Sequence, residues 1–316
     1  MAKVCIIGAG SWGSALASTI ADKTGSAIII GRHQAICEEI NNFHTNNSYL
    51  SGVQLHNKVR ATTEFNEAIN CDYIVIAVPS RSFSEVITKL QILNLRNVGI
   101  IIATKGLLNN TLFSDNINFV SNVAVISGPN FASDVAFKSK TLITVASKDL
   151  QFAHKASIIF PEYILLECTD DIVAVQVFGF MKNIIAIMCG LLKGLGYSGN
   201  TIASIVGLGS YEIHLLSSAL GSKNTCPAGS VGDLFLTCLS EASRNFRFGL
   251  GLSKDEVNNN ANYLVEGVGV LNAVLEISHR LGIVLHTSNA LAEIIKNPAQ
   301  AKTVLDILFK NYQIIY

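Results

Sequence analysis

Lys182 stands inside an apolar run, with Phe178, Phe180 and Met181 before it and Ile184, Ile185 and Ile187 after it. Burial disfavours a charged ammonium, and a second cation such as Lys105 nearby would disfavour it further. A lysine so placed can act as an acid or base; it can also snorkel from a helix face or pair with a buried acid. Lys105, in Thr104-Lys105-Gly106, ends a β-branched run and is either a site cation or a solvated charge. Asp233, in Gly232-Asp233-Leu234, can orient a lysine or accept a hydroxyl, and Ser243-Arg244-Asn245 joins a fork-shaped cation to hydroxyl and amide donors. Arg244 can hold a phosphate through two hydrogen bonds, although an exposed arginine beside a helix would read the same way. Ser127-Gly128-Pro129-Asn130 adds backbone donors suited to an anion or a carbonyl.

A second group of residues points to a dinucleotide. The first β-branched run leads into Gly8-Ala9-Gly10-Ser11-Trp12-Gly13 and then the small, helix-favouring Ser14, Ala15, Leu16 and Ala17. In a strand–turn–helix of this kind Gly8 permits the turn, Gly10 lets the backbone approach a pyrophosphate, and Gly13 lets helix and strand pack closely. The helix N-terminus adds oriented N–H groups and positive potential. A glycine-rich connection with no ligand has the same spelling, but its place between a first strand and an Ala-rich helix favours the dinucleotide. An acidic residue about 20 positions on would select NAD; instead the next strand ends in Gly31-Arg32-His33. Arg32 can meet the 2′-phosphate of NADP, stack on adenine or face solvent. Val78-Pro79-Ser80 closes another strand, as a cofactor contact or as a simple strand stop.

The elements that must position these groups follow from patterning. Strands are expected at Lys3–Ile7, Ala27–Ile30, Tyr73–Val78, Gly99–Ala103, Val123–Ser127 and Leu142–Ala146, with helices at Ser14–Lys23, Gln34–Asn41 and Ser82–Leu90 between them. Successive βα units of this kind build a mostly parallel, doubly wound sheet, whose ligand crevice lies beyond the carboxyl ends of the strands. From Thr169 the pattern changes. Thr169 or Asp170 can cap a helix with Asp171 in its first turn, running to about Leu192. Helical spacing then recurs at Ile202–Leu220, Asp255–Leu264, Gly269–Leu281 and Ala299–Phe309, and Asn258–Asn260 reads as a loop. The expected architecture is an α/β Rossmann-type doubly wound N-terminal domain over residues 1–169 plus an all-α C-terminal domain over 170–316.

Composition narrows the partners. With 49% hydrophobic and 15% charged residues the chain can bury a large core, and with 23 basic against 23 acidic residues it carries no field for nucleic acid or an anionic membrane. Seven dispersed cysteines without CxxC spacing fit reduced thiols in a cytoplasmic protein, and the histidines show no HExxH pattern that would announce a metal. Lys3 with the apolar run to Ala21 imitates a signal peptide, but the glycine pattern argues against that reading. The apolar stretch Asn183–Leu192 is closed by Lys193 and falls short of the ~20 residues needed to span a bilayer.

Taken together, the motifs closely resemble the bacterial NAD(P)-dependent glycerol-3-phosphate dehydrogenases over nearly the whole chain. The resemblance is carried by Gly8 to Ala17, Val78-Pro79-Ser80, Ala103-Thr104-Lys105-Gly106-Leu107, Ile126 to Ala132, Met181-Lys182-Asn183-Ile184-Ile185-Ala186, Gly232-Asp233-Leu234, Ser243-Arg244-Asn245 and Val265-Glu266-Gly267. It implies a substrate, dihydroxyacetone phosphate or sn-glycerol 3-phosphate, held between the two domains. Lys182 resembles the family's proton donor and acceptor; Lys105, Gly128, Asn130, Asp233, Ser243, Arg244 and Asn245 resemble substrate contacts. Ser11, Trp12, Arg32, Lys105, Ala132, Arg244, Val265 and Glu266 resemble contacts to NAD or NADP. In that mechanism hydride reaches C2 while Lys182 protonates the emerging alkoxide, and alignment of the reacting carbons at roughly 3–3.5 Å makes the phosphate clamp matter to rate.

Three positions depart from the family pattern: Asn130 for a small hydroxyl residue, Leu208 for arginine, and His286 for proline. The same architecture also serves reductases of 3-hydroxy acids or ketopantoate, and an idle nicotinamide-binding sensor would keep the glycine turn without turnover. A homodimer is the expectation for this fold class.

Overall fold

A computed structural model describes residues 1–95, 97–254 and 265–311. In chain order its elements are β1 (Val4–Ile7), α1 (Ser11–Thr24), β2 (Ala27–Ile30), α2 (Gln34–Phe43), β3 (Val59–Thr62), β4 (Tyr73–Ile76), α3 (Phe83–Ile92) and β5 (Gly99–Ile102). A hairpin of β6 (Leu107–Leu108) and β7 (Thr111–Leu112) follows, then β8 (Val123–Ser127), α4 (Ala132–Ala136), β9 (Thr141–Ala146), α5 (Leu150–Ser157) and β10 (Ile164–Thr169). The rest is helical: α6 (Ile172–Gly194), α7 (Gly199–Ala219), α8 (Ala228–Leu239), α9 (Arg244–Leu252), α10 (Glu266–Arg280), α11 (His286–Lys296) and α12 (Ala301–Asn311).

One eight-stranded sheet runs in the order β10-β9-β8-β5-β4-β1-β2-β3, parallel throughout except between β8 and β9. Strand order reverses beside β1, between β2 and β4, so the glycine turn after β1 opens onto the switch point of the sheet. Ile and Val from β1, β4 and β5 are buried on both faces, as parallel strands covered by helices on each side require.

The expected strands are all present, with ends shifted by up to two residues. Two more, β3 and β10, lie at the sheet edges. Helix α1 starts at Ser11, three residues before its expected start, so it emerges directly from the glycine turn. The cap of α6 is Asp171, whose carboxylate accepts from Ala174 N at 3.0 Å, and neither Thr169 nor Asp170 fills that place. Helices α4, α5, α8, α9 and α11 are additional to the expected set. The expected helix over Asp255–Leu264 and the loop at Asn258–Asn260 lie outside the described residues.

Helix α6 is the axis of the helical half. It packs against α7, α8, α9, α10 and α11, and its N-terminal Ile172 and Val175 join the core under the sheet. At 23 residues it is long and apolar enough to cross a membrane, which corrects the expectation drawn from its shorter central stretch. Its apolar surface is instead taken up by neighbouring helices and is largely buried. The approach to α9 is close: a Cβ at Gly190 would lie 1.9 Å from Phe246 O, and one at Gly249 2.0 Å from Ile187 O.

Candidate active site

The candidate site lies between the carboxyl edge of the sheet and one side of α6. From the sheet come Ser80 after β4, Lys105 after β5 and Gly128 to Asn130 after β8; from the helices come Lys182, Asn183, Asp233, Arg244 and Glu266. Ser80, Lys105, Gly106, Phe180, Asn183 and Glu266 line one cavity of this site.

Lys182 donates to Asp233 Oδ1 at 2.6 Å, with the two side chains 13% and 7% exposed. Asp233 also accepts from Ser127 Oγ at 3.4 Å and from Thr237 Oγ1, one turn on along α8, at 3.4 Å. The carboxylate is thereby tied to the sheet as well as to its own helix, and its first role is as partner to Lys182. An ammonium carries three protons, so the bond to Asp233 leaves Lys182 with donors to spare.

Lys105 reaches α6 from the sheet. Its ammonium donates to Ile126 O at 2.6 Å, and its stem crosses Gly179, where a Cβ would stand 3.0 Å from Lys105 Cδ. Burial pushes its pKa down to about 8; the Asp233 carboxylate opposes that shift, the Lys182 ammonium adds to it, and Glu266 opposes it again. Gly179, two residues before the Met181–Ala186 motif of α6 and given no role from sequence, is what makes room for this lysine.

A polar network crosses the far side of the site. Asn183, 3% exposed, donates to Glu266 Oε2 at 3.2 Å and accepts from Asn245 Nδ2 at 3.0 Å, while Asn245 Oδ1 accepts from Gly267 N at 3.0 Å. Arg244, the first residue of α9, donates to Glu266 Oε1 at 3.4 Å and is 61% exposed, leaving much of its guanidinium open. Ser243 caps α9 by accepting from Phe246 N at 3.3 Å. Val265 precedes α10 as its buried N-cap, and Glu266 opens that helix. Asn183 joins α6, α9 and α10, a role that only the spatial arrangement makes visible.

Asn130 donates to Leu142 O at 3.2 Å, and its Oδ1 is buried without a hydrogen-bond partner. Gly128 beside it has no space for a side chain, since a Cβ would meet Leu142 O at 2.1 Å and Asn130 Nδ2 at 2.3 Å.

The glycine turn fits a dinucleotide. A Cβ at Gly13 would lie 1.9 Å from Gly8 O, which is the close packing of α1 on β1, whereas one at Gly10 would meet no atom within 4 Å. Helix α1 has no side-chain cap, so its first N–H groups face this open space. Ser11 Oγ is committed to Tyr49 O at 2.6 Å, which leaves its backbone N–H for a phosphate. Trp12 packs at the border of the core, and Ala132 begins α4, which lies against α1. Arg32 is exposed at the end of β2 and makes no hydrogen bond or ion pair among the described residues; its charge is felt by Glu85.

Of the remaining departures, Leu208 packs at the margin of the helical core and His286 opens α11. Among the described residues, no cluster of His, Cys, Asp or Glu is arranged to hold a metal ion.

A nucleotide cradle at the switch point of a parallel sheet, facing a lysine–carboxylate pair on a helical cap, defines a two-domain nicotinamide-dependent oxidoreductase. Models of the NAD-dependent glycerol-3-phosphate dehydrogenase N-terminus and C-terminus match residues 3–153 and 171–306. The chain belongs to the NAD-dependent glycerol-3-phosphate dehydrogenase family. It is 35% identical to the glycerol-3-phosphate dehydrogenase (NAD(P)+) of Shouchella clausii, covering 99% of this chain and 98% of that one. The Bacillus subtilis enzyme of the same name is 31% identical over 98% and 94%. The crystal structure of glycerol-3-phosphate dehydrogenase from Coxiella burnetii superimposes with a TM-score of 0.88 at 31% identity, covering 97% and 98%. A ketopantoate reductase from Ralstonia eutropha, at 13% identity and a TM-score of 0.59, shares the fold alone.

Proposed function

We propose that the protein interconverts dihydroxyacetone phosphate and sn-glycerol 3-phosphate with NAD(H) or NADP(H), and that Lys182 gives and takes the proton at the C2 oxygen. The observation that carries this reading is the 2.6 Å bond between Lys182 and Asp233 at a site that the sheet and the helices share. When bound, the nicotinamide supplies or accepts the hydride at C2. With Gly8 and Gly13 shaping the turn, Gly10 and the free backbone N–H groups at the start of α1, Ser11 among them, would hold the pyrophosphate, with Trp12, Arg32, Ala132, Val265 and Glu266 around the rest of the dinucleotide.

During reduction, Lys182 stabilises negative charge building on the carbonyl oxygen and then protonates it, while Asp233 keeps the ammonium aimed. In oxidation Lys182 removes the hydroxyl proton. Lys105 and Arg244 supply the positive charge for the substrate phosphate, and Ser243, Asn245 and the backbone beside Gly128 supply neutral donors. Asn130 donates to Leu142, so the atom it offers is Oδ1, which accepts a substrate hydroxyl. The reaction belongs to the cytoplasm, where it supplies glycerol phosphate for phospholipid synthesis, and a homodimer is the assembly in keeping with the fold.

The test is turnover of NADH and NADPH by the purified protein with dihydroxyacetone phosphate, run beside a panel of keto acids. Oxidation that needs the phosphorylated ketone is the expected result. Oxidation with keto acids alone would move the substrate to a carboxylate, and tight cofactor binding without turnover would make the protein a sensor.

A further inference from the structure

We propose that Glu167, on the edge strand β10, is a positioning residue for proton transfer: it anchors the start of α8 to the sheet and so keeps Asp233 against Lys182. The proposal rests on the reading of Lys182 as the proton carrier.

The observation is a row of three polar residues across three strands. Ser127 of β8 is in register with Thr144 of β9, and Thr144 is in register with Glu167 of β10. Residues paired across neighbouring strands point to the same face, so the three side chains form one ladder. Helix α8 lies over it, and each rung bonds to α8. Glu167 Oε1 accepts from Ala228 N at 3.0 Å, and its Oε2 accepts from Gly229 N at 3.2 Å. Thr144 Oγ1 accepts from Gly229 N at 3.1 Å and donates to Glu167 Oε2 at 2.5 Å. Ser127 Oγ donates to Asp233 Oδ2 at 3.4 Å.

The anchoring replaces something α8 lacks. Its N-cap is Pro227, which has no side-chain oxygen to offer, and no side-chain cap bond is made there. Glu167 takes that place from another element, putting a carboxylate at the positive end of the helix. Contact is close enough to fix the helix, since a Cβ at Gly229 would stand 2.4 Å from Thr144 Oγ1. Asp233 lies five residues beyond Ala228 along α8, roughly 7.5 Å up its axis, so a tilt of the helix start moves the carboxylate away from Lys182. Asp171 holds the approach to the helix, with its Oδ2 accepting from Ser222 Oγ, Thr225 N and Thr225 Oγ1 at 2.7, 3.2 and 2.9 Å.

The experiment is a double-mutant cycle between Glu167→Ala and Asp233→Asn, read as kcat for dihydroxyacetone phosphate, with KM for NADH measured in parallel. Glu167→Ala is expected to lower kcat by about 10–10²-fold, the scale of a positional error transmitted to a reacting group, with KM for NADH unchanged. Glu167→Gln, which keeps an acceptor oxygen for the helix, restores most of that loss. In the Asp233→Asn background the Ala substitution costs less than about twofold more, because its effect has already been removed. Should Glu167→Ala fail to fold, Thr144→Val breaks two bonds of the same ladder, one of them to Glu167, and takes its place in the cycle. Wild-type kcat for Glu167→Ala, or full additivity with Asp233→Asn, overturns the proposal. Near-normal turnover in Lys182→Ala overturns the proton-transfer reading itself.

Discussion

Lys182 on α6 and Asp233 on α8 meet at 2.6 Å with little of either side chain exposed. Taking one charge from a buried pair leaves the other uncompensated, at a cost of about 3–5 kcal/mol when the pair is fully enclosed. Asp233→Ala is therefore expected to lower the urea midpoint as well as activity. Asp233→Asn removes the same charge but keeps the shape and one acceptor oxygen, so it should lose less stability than Asp233→Ala, with kcat down about 10–10³-fold because Lys182 is no longer aimed. Equilibrium unfolding and steady-state kinetics on the two variants separate these effects.

Gly179 lies in the middle of α6, where alanine would ordinarily favour the helix by up to about 1 kcal/mol. Here its Cβ would stand 3.0 Å from Lys105 Cδ and 3.5 Å from Lys105 Nζ. Gly179→Ala is expected to leave the melting temperature within a few degrees of the original while displacing Lys105 from Ile126 O. KM for dihydroxyacetone phosphate should rise severalfold with KM for NADH constant. A drop in stability with unchanged kinetics would show that the space serves packing alone.

Lys105 titrates near pH 8 because burial opposes its charge. Between about pH 8 and its ordinary 10.5, the unfolded chain holds this proton and the folded chain has released it, so the group favours folding increasingly as pH rises through that window. Below pH 8 the cost of burying the ammonium is fully present. The urea stability of the unliganded protein, minus that of Lys105→Met, should climb from pH 8 to pH 10. Substrate affinity should move the other way, with KM for the phosphorylated ketone rising above pH 8 as the cation is lost.

Arg32 stands exposed just beyond β2, the strand end at which a bound dinucleotide's adenine ribose would be read. If it meets a 2′-phosphate, Arg32→Ala raises KM for NADPH by about tenfold, the scale of one lost charged hydrogen bond, and leaves KM for NADH nearly unchanged. Equal losses with both cofactors would mean that Arg32 stacks on adenine instead.

What could be read from the sequence depended on burial. The central strands are short β-branched runs with both faces covered, and they are legible as such. β3, with sequence VRAT, exposes Arg60, and β10, with sequence ILLECT, exposes Leu165 and Leu166 because it lies at the edge, so neither reads as a buried strand. Helix α8 begins at a proline without a capping side chain of its own; its cap comes from Glu167, 61 residues earlier, which no local pattern reveals. Lys182, the proposed proton carrier, is legible as a charge in an apolar helix, and the glycine turn is legible as glycines between a strand and a helix. The roles of Gly179, Asn183 and Glu167 rest on contacts between distant segments and emerge only when those segments meet.

The most direct test is single-turnover oxidation of bound NADH by dihydroxyacetone phosphate in Lys182→Ala, with NADH affinity measured on the same preparation. The expected result is wild-type NADH binding with hydride transfer slowed by about 10²–10⁴-fold, the range for a lost general acid. A transfer rate close to that of the unmodified protein would contradict the assignment of proton transfer to Lys182.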